Sequence, residues 1–166
     1  SGIDAEIRVA ENHGRDILPF LNAIKDVHKD ELVLKLHTKR SLHREDGELW
    51  RSDMLNKLMK PERVREIFDA FARRADLGLV APEGHILPMS TYWGSNAAKV
   101  RDLSRRMGDI TLDPDLMLFA AGSMFYVRPK ALEALLELGL NSVDFEPESG
   151  QVDGTLAHAI ERCFSI

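Results

Sequence analysis

The chain has 166 residues, 44% of them hydrophobic and 30% charged, the make-up of one soluble globular domain with enough apolar side chains for a core. Its formal net charge of -5 argues against nucleic-acid binding, which needs a surplus of Lys and Arg to displace phosphate counterions. The single cysteine, Cys163, excludes an internal disulfide framework and a Cys-based zinc site and suits a reducing cytosolic setting, and no apolar run approaches the roughly 20 residues that span a bilayer.

In chain order, Glu6 to Ala10 predicts a short strand. After the "ENHGRD" turn, Ile17, Phe20, Leu21 and Ile24 recur at helical spacing, and Pro19 is tolerated because it falls in the first turn. Leu32 to Leu36 predicts a second strand. Trp50, Met54, Leu55 and Leu58 mark one helix, and Val64, Ile67, Phe68, Phe71 and Ala75 mark another that opens on Pro61. "LGLVAP" reads as a compact strand ended by Pro82, and Glu83 to Ser95 as a long polar loop. Val100, Leu103 and Met107 define a further helix. "LMLFAAGSMFYVRP" is a strand interrupted at Ala121 and Gly122, and "PKALEALLEL" a helix with Pro129 at its first position. The last helix runs from about Gly154 to Cys163, with Asp153 standing where an N-cap belongs. Strands alternating with helices imply an α/β fold, a three-layer sandwich with a mostly parallel central sheet, forming a single domain over residues 1–166 of a longer protein.

In such a sheet ligands gather at the carboxyl ends of strands. "LVLKLHTKRS" changes from apolar alternation to donors and cations at one such end, so His37, Thr38, Lys39 and Ser41 are candidates to hold an anion, most naturally a diphosphate. The alternative is a solvated strand end. "ENHGRD" places Gly14 between Asn12 and the Arg15-Asp16 pair, and "YWGSN" sets two aromatics beside Gly94 and Asn96, a composition suited to stacking on a sugar and bonding its hydroxyls. "AAGSMF" puts small residues, Gly122 among them, where a ligand or another backbone comes close. "DFEPESGQVDGTLAHAIER" gathers Asp144, Glu146, Glu148 and Asp153 before a helix carrying His158, Glu161 and Arg162. Each segment also has a structural alternative: a turn, a core aromatic, a tight helix contact, or a cap with solvated acids.

The order and separations of "ENHGRDILPFL", "LKLHTKRS", "YWGSN", "AAGSMFYVRPKAL" and "FEPESGQVDGTLAHAIER" resemble the rhamnan synthesis protein F family of bacterial polysaccharide glycosyltransferases, over nearly the whole chain. The resemblance implies an A-type, Rossmann-like nucleotide-diphospho-sugar transferase fold, a dTDP-L-rhamnose donor for the family's namesakes, and a growing glycan or lipid-linked glycan as acceptor. It also implies a cytoplasmic enzyme placed near the inner face of the membrane, alongside other glycosyltransferase domains. Two departures stand out. The usual metal-binding Asp-x-Asp is replaced by His37-Thr38-Lys39, so metal-independent chemistry is expected, with Lys39 and His37, helped by Arg15 or Arg162, neutralising the leaving diphosphate. The first strand and helix of the fold are also missing from residues 1–10.

The resemblance further places the acceptor base just before the last helix, at Asp153 or Glu148. Asn12, Gly14, Arg15 and Asp16 fall on the nucleotide side, Trp93, Gly94 and Asn96 on the sugar or acceptor side, and His158 with Arg162 keeps a phosphate role. Two other classes stay open: a non-catalytic glycan-binding or scaffold module, and a phosphotransferase or hydrolase with His37 as nucleophile. The last lacks a Gly-rich phosphate loop and a His-x-x-x-His pair.

Overall fold

A computed structural model describes residues 5–38 and 47–166 of the chain. The first regular element is α1 (Ile17–Ile24), entered through a turn in which Gly14 (φ 64°) and Arg15 (φ 56°) both take left-handed backbone. A Cβ on Gly14 would lie 2.7 Å from both Leu18 Cβ and Phe145 Cδ1, so the turn accepts only glycine there. Ile17, Leu21 and Ile24 face the core as their spacing predicts, joined by Leu18, while Phe20 is only partly buried against it. After β1 (Val33–Lys35) come α2 (Gly47–Met59) and α3 (Pro61–Arg73), which bury Met54, Leu58, Ile67 and Phe71.

The next stretch departs from the long polar loop expected over Glu83 to Ser95. Following β2 (Leu79–Val80), it folds into β3 (Ile86–Pro88), α4 (Met89–Tyr92) and a 3-10 turn (Gly94–Asn96) that runs into α5 (Ala97–Arg106). These elements are so short that Pro82, Gly84, Pro88 and Gly94 punctuate rather than prevent them. β4 (Leu118–Ala120) and β5 (Phe125–Val127) flank the predicted interruption, and the chain changes sheets between them. A 3-10 turn (Pro129–Leu132), α6 (Glu133–Leu136), another 3-10 turn (Ser142–Asp144) and α7 (Leu156–Cys163) complete the order. The N-cap of α7 is Thr155, not Asp153.

The expected three-layer sandwich with a mostly parallel, Rossmann-like central sheet does not form. Among the described residues two small antiparallel sheets take its place, one of order β1-β5-β2 and one pairing β3 with β4. Within the first, Val33 pairs with Val127 and Lys35 with Phe125, while Leu79 pairs with Val127 on the other side. The helical crossover through α2 and α3 does return β2 in the direction of β1. It leaves a one-strand gap, however, and β5 fills that gap running the opposite way. The expected strand Glu6 to Ala10 is irregular, with Ile7 and Val9 about nine-tenths exposed or more, because no neighbouring strand takes up its backbone groups among the described residues.

β5 is covered on both faces. Phe125 and Val127 belong to the main core with Leu21, Ile24, Val100, Leu103, Phe119 and Ile160, whereas Met124 and Tyr126 pack with Met54, Leu58, Ile67 and Phe71. Full burial of a side chain such as Phe125 stabilises the fold by about 1.5–3 kcal/mol relative to leaving it in water. No helix among the described residues is long and apolar enough to cross a membrane.

Candidate functional site

The strand period places Lys35 and His37 on the same side of β1, facing the turn that joins β4 to β5. Lys35 is buried, and its Nζ donates to the Asp16 carboxylate and to the Ser123 carbonyl at 3.0 Å. Burial raises the Asp16 carboxyl, but the charge and hydrogen bond of Lys35, with smaller help from His37, outweigh it and hold Asp16 below the usual carboxylate range. His37 Nε2 lies 2.6 Å from the Gly122 carbonyl. A carbonyl only accepts, so Nε2 donates here, while Nδ1 is buried without a hydrogen-bond partner among the described residues.

Gly122 (φ 84°) and Ser123 (φ 51°) make the turn itself, and a Cβ on Gly122 would lie 3.0 Å from Met54 Sδ. The Gly122 peptide is gripped from both ends. His37 holds its carbonyl, and its N–H donates to Glu161 Oε1 at 2.9 Å. Burial pushes the Glu161 carboxyl above its ordinary range, against the opposing pull of Arg162 and the Gly122 N–H.

Arg162, next along α7, aims all five of its N–H groups into the protein. Nε and Nη2 donate to the Tyr92 carbonyl at 3.3 and 3.1 Å, Nη1 donates to the His158 carbonyl at 2.8 Å and to Glu161 Oε2 at 3.2 Å, and Nη2 pairs with Asp153 at 3.6 Å. Asp153 also accepts from Asn96 Nδ2 at 2.6 Å and from the Ser95 N–H at 3.3 Å. Burial works to raise its carboxyl, but Asn96, Arg162 and the backbone donors together hold it low. Gly94 (φ 54°) is required at this point, since a Cβ there would sit 2.5 Å from Asp153 Oδ2.

Arg15 gathers the other acidic loop. Its Nη1 lies 2.9 Å from His158 Nε2, Nη2 donates to the Gln151 carbonyl, and Nε lies 3.6 Å from Glu148 Oε2. On its other side, His158 Nδ1 accepts from the Thr155 N–H at 3.3 Å and lies 2.7 Å from the Thr155 hydroxyl, closing a capping box at the start of α7. Residues from all five quoted sequence segments therefore join one polar network around α7, linked from Asn96 through Asp153, Arg162, Glu161, Gly122 and His37 to β1.

The protein-family model for rhamnan synthesis protein F matches residues 1–166. The chain belongs to this family. It is 50% identical over 163 residues to an uncharacterized protein WxcX of Xanthomonas campestris pv. campestris strain B100, and equally so to the protein of that name from a second strain of the pathovar. These alignments cover 97% of the chain but 23% of each relative, so the chain spans about a quarter of the length of the curated relatives it matches. No solved structure matches it.

Within this rhamnan synthesis protein F domain, the sequence-predicted residues separate into groups. Arg15, Asp16, His37, Asn96, Gly122, Glu148, Asp153, His158 and Arg162 enter the network, with Gly14 and Gly94 shaping its turns. Trp93 is buried in the main core under the Arg101 guanidinium, so the ring exposed beside Gly94 is that of Tyr92. Asn12 and Thr38 are exposed. Lys39 and Ser41 lie outside the described residues. Arg15 and Arg162 were expected to face a leaving diphosphate, yet their donors are directed at protein acceptors.

Lys35 and Ser123 were missed, and Glu161 was noted on the last helix but given no role. A lysine at a core-facing position of an apolar strand was the available signal for the first. Ser123 and Glu161 were hidden because their part depends on a turn and a helix meeting across the fold. A second buried histidine, His85, sits near this edge, its Nε2 2.6 Å from Asp53, to which Lys57 also donates at 2.6 Å, and its ring against Trp50. Burial pushes the Cys163 thiol up to about 12, with Arg162 pulling weakly the other way, so it is no nucleophile at neutral pH. Among the described residues no group of three or more His, Cys, Asp or Glu is placed to hold a metal ion.

Proposed function

We propose that this chain forms part of a glycosyltransferase that moves a sugar, L-rhamnose in the first instance, from a nucleotide-diphosphate donor to a growing bacterial surface polysaccharide. Family membership ties the chain to rhamnan synthesis, and the observation that carries the finer reading is the convergence of five separated segments on α7. A module needing only stability would not bury Lys35, Arg162 and His158 beside the partly buried Asp16 and Glu161, because ionised groups taken out of water are expensive unless paired. His37, Thr38, Lys39 and Ser41 are the groups proposed to meet the diphosphate, without a divalent ion. Arg15 and Arg162 hold the surrounding loops in place. Asp153 orders the Gly94–Asn96 turn against α7. A lipid-linked glycan acceptor would bring the enzyme to the inner face of the membrane as a peripheral protein.

A second reading, a non-catalytic glycan-binding or scaffold module, is favoured by the absence of the parallel nucleotide-binding sheet among the described residues. Calorimetry on the full-length protein with dTDP, UDP and GDP, with and without a chelator, separates the two. Nucleotide binding that survives chelation and is lost in Lys39→Ala supports sugar transfer from a metal-free diphosphate site. Absence of binding by every nucleotide supports the scaffold.

A further inference from the structure

The two-stranded sheet of β3 and β4 is apolar on both faces. The strand period puts Leu87 and Phe119 on one side, where both pack against the main core. On the other side Pro88 stands opposite Leu118, and Ile86 opposite Ala120. An antiparallel sheet with one solvated face carries polar side chains there, and this face has none. Ile86 and Leu118 are 43% and 52% exposed, and Leu116, two residues before Leu118, is 80% exposed.

The same side chains border a groove of about 500 Å³. Ile86, Leu116, Leu118 and Ala120 line it from this sheet, and Leu79 and Ala81 line it from β2, the edge strand of the other. Although 30% of the chain is charged, no described residue lining the groove is, and the one polar residue among them is Ser165. Single apolar residues scattered over a surface are ordinary. A sheet face and a groove built from the same apolar side chains mark a surface that something covers.

The charges beside it and the size of the relatives indicate what that is. Asp113 and Asp115, both exposed, lie just before Leu116, and no Lys or Arg lines the groove among the described residues, which opposes seating on an anionic bilayer. The alignments with the curated relatives leave about three-quarters of each relative outside the region matched by this chain, so in those proteins the domain has a large neighbour on the same polypeptide. We propose that the outer face of β3 and β4, with its groove, is an interface within the full-length protein, covered by an apolar surface from the polypeptide outside residues 1–166. The incoming surface takes Ile86, Leu116 and Leu118 out of water, and basic side chains at its margin meet Asp113 and Asp115. This interface stands or falls independently of sugar transfer.

The test uses the full-length protein. Leu116 is largely exposed within the domain, so replacing it leaves the domain's own packing intact. Leu116→Cys is expected to react with a maleimide at least about tenfold more slowly than the same cysteine in a synthetic peptide of the surrounding sequence, because the interface must open first. A rate within about threefold of the peptide's shows an open face and overturns the proposal. Benzoylphenylalanine placed at position 116 identifies the cover. Irradiation and peptide mass spectrometry are expected to join position 116 to residues of the same chain outside the 166. Cross-links confined to the domain overturn the proposal. Light-to-heavy pairs in a mixture of isotopically light and heavy protein assign the face to a second copy, and protection or cross-linking that needs added phosphatidylglycerol vesicles assigns it to lipid; either result overturns the intramolecular interface.

Discussion

Lys35 donates both to the Asp16 carboxylate and to the Ser123 carbonyl, so one buried ammonium joins the start of α1 to the turn between β4 and β5. Removing either partner leaves a charge without its counterpart in a region of restricted solvent. Lys35→Met should cost about 2–4 kcal/mol in urea denaturation, and adding Asp16→Asn should restore a large part of it. Simple additivity of the two substitutions would show that the pair is not coupled.

Stability should depend on pH in two opposed ways. Asp16 and Asp153 are held low, so the stability they contribute is present above the unfolded value of about 3.9 and is lost as pH falls through their folded values. Glu161 is raised, so the folded state binds the extra proton, and its contribution declines as pH rises from the unfolded value of about 4.3 through the folded one. Thermal melts of wild type and Glu161→Gln across acid to neutral pH should therefore show the variant gaining relative to wild type as pH rises. A difference independent of pH would mean that the carboxyl is not perturbed.

Gly94 and Gly139 have similar left-handed backbone, φ 54° and 63°, but different surroundings. Alanine at 139 meets nothing within 4 Å and should cost only the conformational penalty, about 1–2 kcal/mol. Alanine at 94 meets Asp153 Oδ2 at 2.5 Å, so it should cost distinctly more in chemical denaturation and weaken the protection of the Asn96 amide in hydrogen exchange.

Arg15 spans three partners with one planar guanidinium. Arg15→Lys keeps the charge but loses the fork, so the loop carrying Glu148 and Gln151 should exchange its amide protons faster while α7 retains protection. Unchanged exchange at Ser149 and Gln151 would assign the loop's order to other contacts.

The helices around Ile17, Met54, Ile67, Val100 and Ile160 were legible because apolar residues at three- and four-residue spacing announce a buried face wherever it occurs. The strands at Val33, Leu79, Leu118 and Phe125 were legible too, although Glu6 to Ala10 forms none and β3 lay hidden in an expected loop, and strand direction was not legible at all. The alternation of Val33 and Lys35, or of Phe125 and Val127, is the same whether a neighbour runs parallel or antiparallel, and the neighbour lies far away in sequence. Site segments stood out through glycines and clustered charges. What could not be read was the destination of each donor: Arg15 and Arg162 have the composition of a phosphate clamp, yet carbonyls at Gln151 and Tyr92 claim them.

The placement of β5 has a consequence for how the chain acquires its shape. Val33 and Leu79 both pair with Val127, so the two outer strands have no shared partner until nearly all of the intervening chain has been synthesised. Until then α2 and α3 can assemble locally, while the apolar edges of β1 and β2 wait for a ribosome to deliver the keystone. Such distant pairing favours slow closure and a period in which β1 and β2 lack the partner that Phe125, Tyr126 and Val127 supply.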